Sequence, residues 1–333
     1  MRILVTGGAG YVGSVSVDAL LDAGHDVVVL DDLSTGHRDA VAERARLVAG
    51  TYADGELVGA LLEGERIEAI LHCGARSLVG ESMEDPARYY RDNVAGGVAL
   101  LEAARHVGVR RFVFSSSAAV YGVPDETPIA ESAALRPINT YGETKRAFEA
   151  ALAAYGVAYG VRSVTLRYFN VAGATELRGE DHGPETHLIP NVLRAAEGGA
   201  GADPVDIFGD DYPTPDGTCV RDYIHVVDLA VAHVLALEAT ARADPRTDTP
   251  LVCNLGSGGG YSVREVLVAA ERVVGRPIPQ RVVARRSGDP PVLVAAIARA
   301  ADVLGWRPER SSLEAMIASA WDWRLRNPGG YPS

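Results

Sequence analysis

Along the first half of the chain, short apolar, β-branched runs alternate with longer stretches of helical period. Ile3-Leu4-Val5-Thr6 predicts a strand, followed by a glycine-rich turn and a helix to about Ala23. Val27-Val28-Val29-Leu30, Ala69-Ile70-Leu71-His72 and Arg111-Phe112-Val113-Phe114 predict three more strands. A helix containing Leu100, Leu101 and Ala104 precedes the last of these, and Arg162 to Arg167 closes the series. Runs such as Val27 to Leu30, apolar at every position, suit strands covered on both faces. Strands alternating with helices predict a parallel sheet with helices on both sides, an α/β class.

The second half is less regular. Loops rich in Gly, Pro, Asp and Thr are expected at about 174–187, 197–204 and 209–219, with helices from about Leu188 to Glu197 and Val226 to Ala239 between or after them. Ser262 followed by Glu265 has the spacing of a capping box, opening a helix to about Val274. The expected division is a first domain over 1–170 and a smaller α/β domain over 171–333 that caps its mouth, with residues 222–257 a candidate to return to the large sheet.

Composition narrows the function classes. A chain of 333 residues with 47% hydrophobic and 23% charged residues is globular and large enough to need neither disulfide nor metal for stability. The net charge of −12 without a basic run argues against nucleic acid and anionic membranes as partners. A phosphate-bearing ligand must then be held by a few placed arginines and by backbone amides. Cys73, Cys219 and Cys253 are far apart and form no metal-type cluster, so they are read as structural, no metal is expected, and the compartment is a reducing one, cytoplasmic. Met1 and Arg2 lead straight into the first strand, so no signal peptide is expected. No run of about 18 apolar residues could span a bilayer.

Candidate chemistry begins at Gly7-Gly8-Ala9-Gly10-Tyr11-Val12-Gly13, between the first strand and its helix. With Gly7, Gly10 and Gly13 the pattern is G-x-x-G-x-x-G. One glycine makes the turn, one lets backbone approach a pyrophosphate and one lets helix pack on strand, the Rossmann arrangement. The phosphates would sit at the helix N-terminus. Asp31 ends the second strand, where a carboxylate takes the adenosine ribose hydroxyls, and Asp32-Leu33-Ser34-Thr35 supplies no cation for a 2′-phosphate. The expected cofactor is NAD rather than NADP.

Tyr141-Gly142-Glu143-Thr144-Lys145 opens a helix to about Ala154, which puts Tyr141 and Lys145 on one face. An ammonium beside a phenol favours the phenolate, and a phenol brought down toward neutrality serves as a general base. Ser115-Ser116-Ser117 follows a predicted parallel strand, whose carboxyl end faces the ligand crevice. One of these hydroxyls is expected to orient the reacting oxygen, while Ser115 and Ser116 fit a plain turn equally well.

These residues together resemble the extended short-chain dehydrogenase/reductase superfamily. Further stretches resemble its UDP-galactose 4-epimerases: Val79-Gly80-Glu81-Ser82, Leu166 to Asn170, Thr218-Cys219-Val220-Arg221-Asp222-Tyr223-Ile224-His225-Val226, Asn254-Leu255-Gly256, Arg285-Arg286-Ser287-Gly288-Asp289 and Asn327 to Tyr331. The resemblance covers almost the whole chain. It implies Ser117, Tyr141 and Lys145 as catalytic. It implies cofactor contacts from Gly7, Gly10, Tyr11, Val12, Gly13, Asp31, Asp32, Thr51, Tyr52, Cys73, Gly74, Ser77, Asn93, Lys145 and Tyr168. For a UDP-sugar it implies Asn170 at the β-phosphate and His187 and Leu188 along the nucleotide site. Asp206 and Phe208 would flank the uracil, Arg221 and Arg286 would hold the diphosphate, and Asp289 would take the ribose, with Tyr223 also in the site. Arginine forks match phosphate oxygens and keep their charge when buried; taken alone, Arg221 also reads as a surface ion pair with Asp222. Leu293 would wall the sugar pocket near C2, where Tyr is associated with excluding a 2-acetamido group and small residues with admitting it. It reads equally as an apolar residue packing beside Val292 and Val294.

Three positions depart from the pattern, all near the cofactor: Gly50-Thr51-Tyr52 replaces a Gly-Asp, Ser77 replaces a Lys, and His72-Cys73-Gly74-Ala75 replaces His-Phe-Ala-Gly. The implied reaction starts with Tyr141 taking the proton of the sugar 4-hydroxyl while hydride passes from C4 to NAD. The 4-ketosugar then turns over and hydride returns to its other face, interconverting UDP-glucose and UDP-galactose. UDP-N-acetylglucosamine and UDP-glucuronate are alternative substrates. A 4,6-dehydratase would need an Asp-Glu pair after the catalytic hydroxyl, where this chain has Ala118-Ala119. A non-catalytic NAD-sensing protein is the reading of a different class, and such proteins typically lack the Tyr-Lys pair. The resemblance also implies a homodimer through helices of the first domain.

Overall fold

The computed structural model describes residues 1–199, 202–242, 250–286 and 289–332. The first half runs β1 (Arg2–Thr6), α1 (Tyr11–Asp22), β2 (Asp26–Asp31), β3 (Arg46–Ala49), α2 (Gly55–Gly64), β4 (Ala69–His72), α3 (Val79–Glu84), α4 (Pro86–Tyr89), α5 (Gly97–Val107), β5 (Arg111–Ser117), α6 (Thr140–Tyr159) and β6 (Arg162–Tyr168). The rest follows as β7 (Asn170–Ala172), α7 (Leu188–Gly198), β8 (Val205–Phe208), β9 (Val220–Arg221), β10 (Tyr223–His225), α8 (Val226–Ala239), β11 (Leu251–Leu255), β12 (Tyr261–Ser262), α9 (Val263–Val274), β13 (Gln280–Val283), β14 (Val292–Leu293), α10 (Ala298–Leu304) and α11 (Leu313–Arg326).

Seven strands form one parallel sheet in the order β11-β6-β5-β4-β1-β2-β3. It is a doubly wound α/β sheet, as the alternating pattern predicts. Alternation along each strand feeds two cores. Ile3 and Val5 pack with Val17 and Leu20 of α1 and Leu229 and Leu237 of α8. Leu4, between them, packs on the opposite face with Leu61 of α2, Leu100 of α5 and Phe148 of α6. Within 222–257, Leu251–Leu255 does return to the large sheet, pairing in parallel beyond Arg162–Tyr168. One expectation is corrected here: strand β5 runs past Phe114 to Ser117, since Ser115, Ser116 and Ser117 pair with Leu166, Arg167 and Tyr168.

A separate core joins α7, α9 and α11 to β8 and β10, with Val192, Ile207, Tyr223, Val266 and Ile317 buried together. The capping box is formed: Glu265 N donates to Ser262 Oγ at 3.1 Å and Ser262 N to the Glu265 carboxylate at 2.7 Å. Gly275, at φ +77°, closes that helix in a conformation that favours glycine. The short pairs β8–β13 and β9–β14 tie segments about seventy residues apart and frame the side of the cleft facing the sheet's carboxyl edge.

Candidate active site

The strand order reverses at β1: β2 and β3 extend the sheet to one side, and β4 onward extends it to the other. A crevice opens at such a switch point, outside the carboxyl ends of the strands. Here it is a cleft of about 2030 Å³, above the roughly 300–1,000 Å³ usual for a single small-molecule site, so it has room for two ligands.

The glycine turn forms one wall. Gly7 has φ +71°, and a Cβ on it would lie 2.5 Å from Gly74 N; a Cβ on Gly13 would lie 2.0 Å from Gly7 O. Only bare backbone lets the turn, the first turn of α1 and the segment after β4 meet here. Asp31 is buried at the end of β2, its two carboxylate oxygens accepting Ala9 N and Leu33 N, each at 2.9 Å. Burial raises its pKa and those two amides oppose the rise; no arginine or lysine enters. Asp32, Thr51, Tyr52, Cys73, Gly74, Ser77 and Tyr168 also face this part of the cleft. Tyr52 packs edge-on to His72 at 4.9 Å and donates to Asp92 O at 3.0 Å. The Cys73 thiol lies 3.2 Å from Ser115 Oγ, and burial pushes it up to about 11, so it stays protonated.

Ser117, Tyr141 and Lys145 come together on the same cleft. Asn139 caps α6 by accepting Gly142 N at 2.8 Å, and Ser82 accepts Tyr141 N at 3.1 Å, which seats the start of the helix. Lys145 Nζ donates to Ser115 O at 2.7 Å and lies 4.8 Å above the Phe114 ring and 5.8 Å from the Tyr141 ring centre. Burial lowers the Lys145 ammonium to about 8. Burial raises the Tyr141 phenol above its ordinary value, and the Ser117 hydroxyl, hydrogen-bonding to it, opposes that.

The opposite wall carries the remaining candidates. Asn170 on β7 donates from its amide to Asp222 O at 3.0 Å and pairs in register with the buried Tyr223. His187 occupies the N-cap position of α7, without a side-chain capping bond, and Leu188 begins the helix. Asp206 and Phe208 share a face of β8; Asp206 pairs with Arg281 at 2.5 Å, and Phe208 carries the Arg286 guanidinium 3.7 Å from its ring centre. Arg221 donates to Pro290 O at 2.8 Å and lies 3.5 Å from the Asp289 carboxylate. Leu293 pairs with Arg221 across β14 and β9, lines the cleft, and also packs on the Val120–Phe169 cluster. Ser287 and Gly288, between Arg286 and Asp289, lie outside the described residues.

The NAD dependent epimerase/dehydratase family model matches residues 3–256. The chain belongs to that family. It is 49% identical to the UDP-glucose 4-epimerase of Corynebacterium glutamicum, over 96% of this chain and 95% of that protein. Its fold superposes on the Brucella ovis UDP-glucose 4-epimerase solved with NAD at a TM-score of 0.91, with 48% identity and 96% and 97% of the two chains covered. The Bifidobacterium longum UDP-glucose 4-epimerase, solved with NAD+ and UDP, superposes at 0.91 with 36% identity over 99% and 100% of the chains.

In this epimerase/dehydratase chain four expectations change. Asn93 does not line the cleft: it is buried behind the wall, accepting Arg76 N at 2.8 Å and donating to Arg76 O and Thr144 Oγ1 at 3.0 Å, so it splints the segment after β4. Tyr141 is raised rather than lowered, because burial outweighs the Ser117 hydrogen bond. Ser115 and Ser116 are not turn residues but buried strand residues, bonded to His233 at 2.7 Å and to Glu149 at 2.5 Å. Asp222 is no surface partner of Arg221: fully buried, it accepts Ser257 N and Oγ, Gly258 N and Ala295 N at 2.6 to 3.2 Å, clasping three segments. Asn191 and Arg194 of α7, one and two turns beyond Leu188, line the cleft without having been expected; their i, i+3 spacing was the available signal.

Proposed function

We propose that this protein interconverts UDP-glucose and UDP-galactose, inverting C4 of the sugar through a 4-keto intermediate with NAD as its resident cofactor. What carries the reading is the convergence of Tyr141, Ser117 and Lys145 on one cleft that also holds Arg221 and Arg286. The relatives named above share this activity by name, and two of them are solved with the same cofactor.

NAD fits the residues present. A Cβ on Gly7 or Gly13 would strike backbone, so the turn stays bare there, and α1 offers its free N–H groups to a pyrophosphate. The buried Asp31 carboxylate, with no cation beside it, accepts ribose hydroxyls and repels a 2′-phosphate. Tyr52, Thr51, Cys73, Gly74, Ser77 and Tyr168 complete this side. When bound, NAD supplies the two-electron acceptor and donor that C4 requires.

The chain's own residues move the proton. Tyr141 Oη takes it from the 4-hydroxyl and gives it back after the sugar has turned. Lys145, charged below about pH 8, favours the phenolate, and the Ser117 hydroxyl orients the same oxygen. Arg221 and Arg286 anchor the diphosphate, Asp289 the ribose, and Phe208 the uracil, with Asp206, Asn170, Tyr223, His187 and Leu188 beside them. Fixing the nucleotide and not the sugar leaves both faces of the ring free to be presented. Ala118 and Ala119, after Ser117, carry no acid or base for eliminating water. The domain boundary proposed is near residue 170, with 222–257 belonging to the first unit. Val107, Val157 and Tyr159, exposed at the ends of α5 and α6, support pairing of two copies through those helices. No described helix is long and apolar enough to cross a membrane, and we place the enzyme in the cytoplasm. Incubation with UDP-galactose and chromatography of the nucleotide sugars tests the proposal: UDP-glucose is expected, and a 4-keto-6-deoxy product or no product overturns it.

A further inference from the structure

Four side chains on the segment entering α7 converge at the rim of the cleft. Glu180, His182, Glu185 and His187 each bring one donor atom within 4.8 Å of all the others. His187 Nδ1 lies 2.8 Å from Glu180 Oε1 and 2.9 Å from Glu185 Oε1; His182 Nδ1 lies 3.2 Å and 3.7 Å from the same two carboxylates. The carboxylates are almost fully covered, with side-chain exposures of 8% for Glu180 and 2% for Glu185. Two buried carboxylates side by side repel, and burial disfavours each, so positive charge must sit between them. Among the described residues no lysine or arginine pairs with either; only the two imidazoles do.

Two arrangements supply that charge: both imidazoles protonated, or both neutral with a divalent cation among the four donors. His182 separates them. Its Nδ1 is shielded from solvent, points into the cluster and makes no hydrogen bond, although carboxylate oxygens lie 3.2 and 3.7 Å away. A proton there would meet the Glu180 carboxylate at 3.2 Å only off the hydrogen-bond axis, leaving a poorly satisfied buried donor. A lone pair there, with the same surroundings, is a metal ligand. We propose that Glu180, His182, Glu185 and His187 bind one divalent transition-metal ion of the zinc class. Two imidazoles with two carboxylates suit zinc, which is held by four protein ligands in structural sites. Magnesium and calcium take all-oxygen shells.

The site pins the segment 180–187 to the start of α7. The His182 ring meets Tyr11 of the glycine turn edge-on at 6.4 Å between ring centres. An ion here would therefore lock the nucleotide-side wall against the phosphate-binding turn, giving the cleft its shape without taking part in proton or hydride transfer. This departs from the expectation that no metal is bound, which rested on the cysteines.

The test reads metal, not catalysis, so it stands or falls apart from the epimerase proposal. The full-length protein, with whatever nucleotide it carries, is treated with EDTA, desalted and titrated with ZnCl2, and zinc is measured by mass spectrometry after gel filtration. One equivalent per chain and a raised unfolding temperature are expected. His182→Ala and, as a second variant in case that one folds poorly, Glu180→Gln should each weaken zinc binding at least about tenfold, because even outer-sphere changes cost about 10- to 100-fold. Cobalt(II) in place of zinc should give the strong visible absorption of a four-coordinate ion. Less than about a tenth of an equivalent retained by the parent overturns the proposal. So does retention undiminished in both variants, or magnesium held as tightly as zinc.

Discussion

Replacing Lys145 with methionine keeps the length and apolar stem of the side chain and removes its charge. Lys145 is 3% exposed, and burial brings its ammonium from 10.5 down to about 8. By linkage, that difference is a destabilisation of the folded parent by about 3 kcal/mol while the unfolded lysine is charged and the folded one is forced to be. The folded value is depressed, so the penalty is fully present below pH 8. As pH climbs from 8 to about 10.5 the unfolded chain binds more protons than the native one, and the parent gains stability relative to the variant. Between pH 7 and pH 10 that relative gain is about 2–3 kcal/mol. The lost bond to Ser115 O is present at both pH values and cancels from the comparison, as do groups titrating equally in both proteins. Urea unfolding of parent and Lys145→Met, both freed of bound nucleotide so that ligand binding does not enter, measures it at the two pH values. A stability difference constant within about 0.5 kcal/mol, or one moving in the variant's favour as pH rises, would refute the claim that Lys145 is held charged against its burial. The same variant should lose at least about a hundredfold in kcat, since the charge that favours the phenolate is gone.

Tyr141→Phe should lower kcat at least about a hundredfold while calorimetry finds UDP binding retained, since only the proton-transfer oxygen is removed; a rate above a tenth of the parent's would exclude Tyr141 as the base. Arg221→Ala and Arg286→Ala should each raise KM for UDP-galactose about ten- to hundredfold by removing a charge-assisted contact remote from C4, and KM unchanged in both would put the diphosphate elsewhere. The parent should prefer UDP-galactose over its 2-acetamido counterpart by roughly ten- to two-hundredfold in kcat/KM. Leu293→Tyr should widen that ratio and Leu293→Gly narrow it; if both keep the parent's ratio, Leu293 does not wall the sugar pocket.

The elements that sequence reading caught were those with local causes. Apolar runs marked β1, β2 and β4, Ser262 and Glu265 marked the start of α9, and the glycine spacing marked the turn whose close approaches Gly7 and Gly13 permit. What it missed depended on distant partners. Ser115–Ser117 has little strand propensity, yet backbone pairing with Leu166–Tyr168 holds it as strand. Strands β8 and β13 are four residues each and stabilise one another across about seventy residues of chain. Asn93 carries the composition of a binding residue, but its amide is consumed by Arg76 and Thr144. The direction of the Tyr141 shift was misjudged for a similar reason: helical spacing shows that Lys145 is near, while the depth of burial, which dominates, is a property of the assembled fold.

In the proposed inversion a hydride leaves C4 and returns to the same carbon on its other face inside one cleft. UDP-galactose carrying deuterium at C4 tests it most directly, with the product isolated and examined by mass spectrometry and proton NMR. UDP-glucose with the deuterium retained at C4 is expected. Loss of the label to solvent during conversion, or no conversion by protein shown to contain NAD, would contradict it.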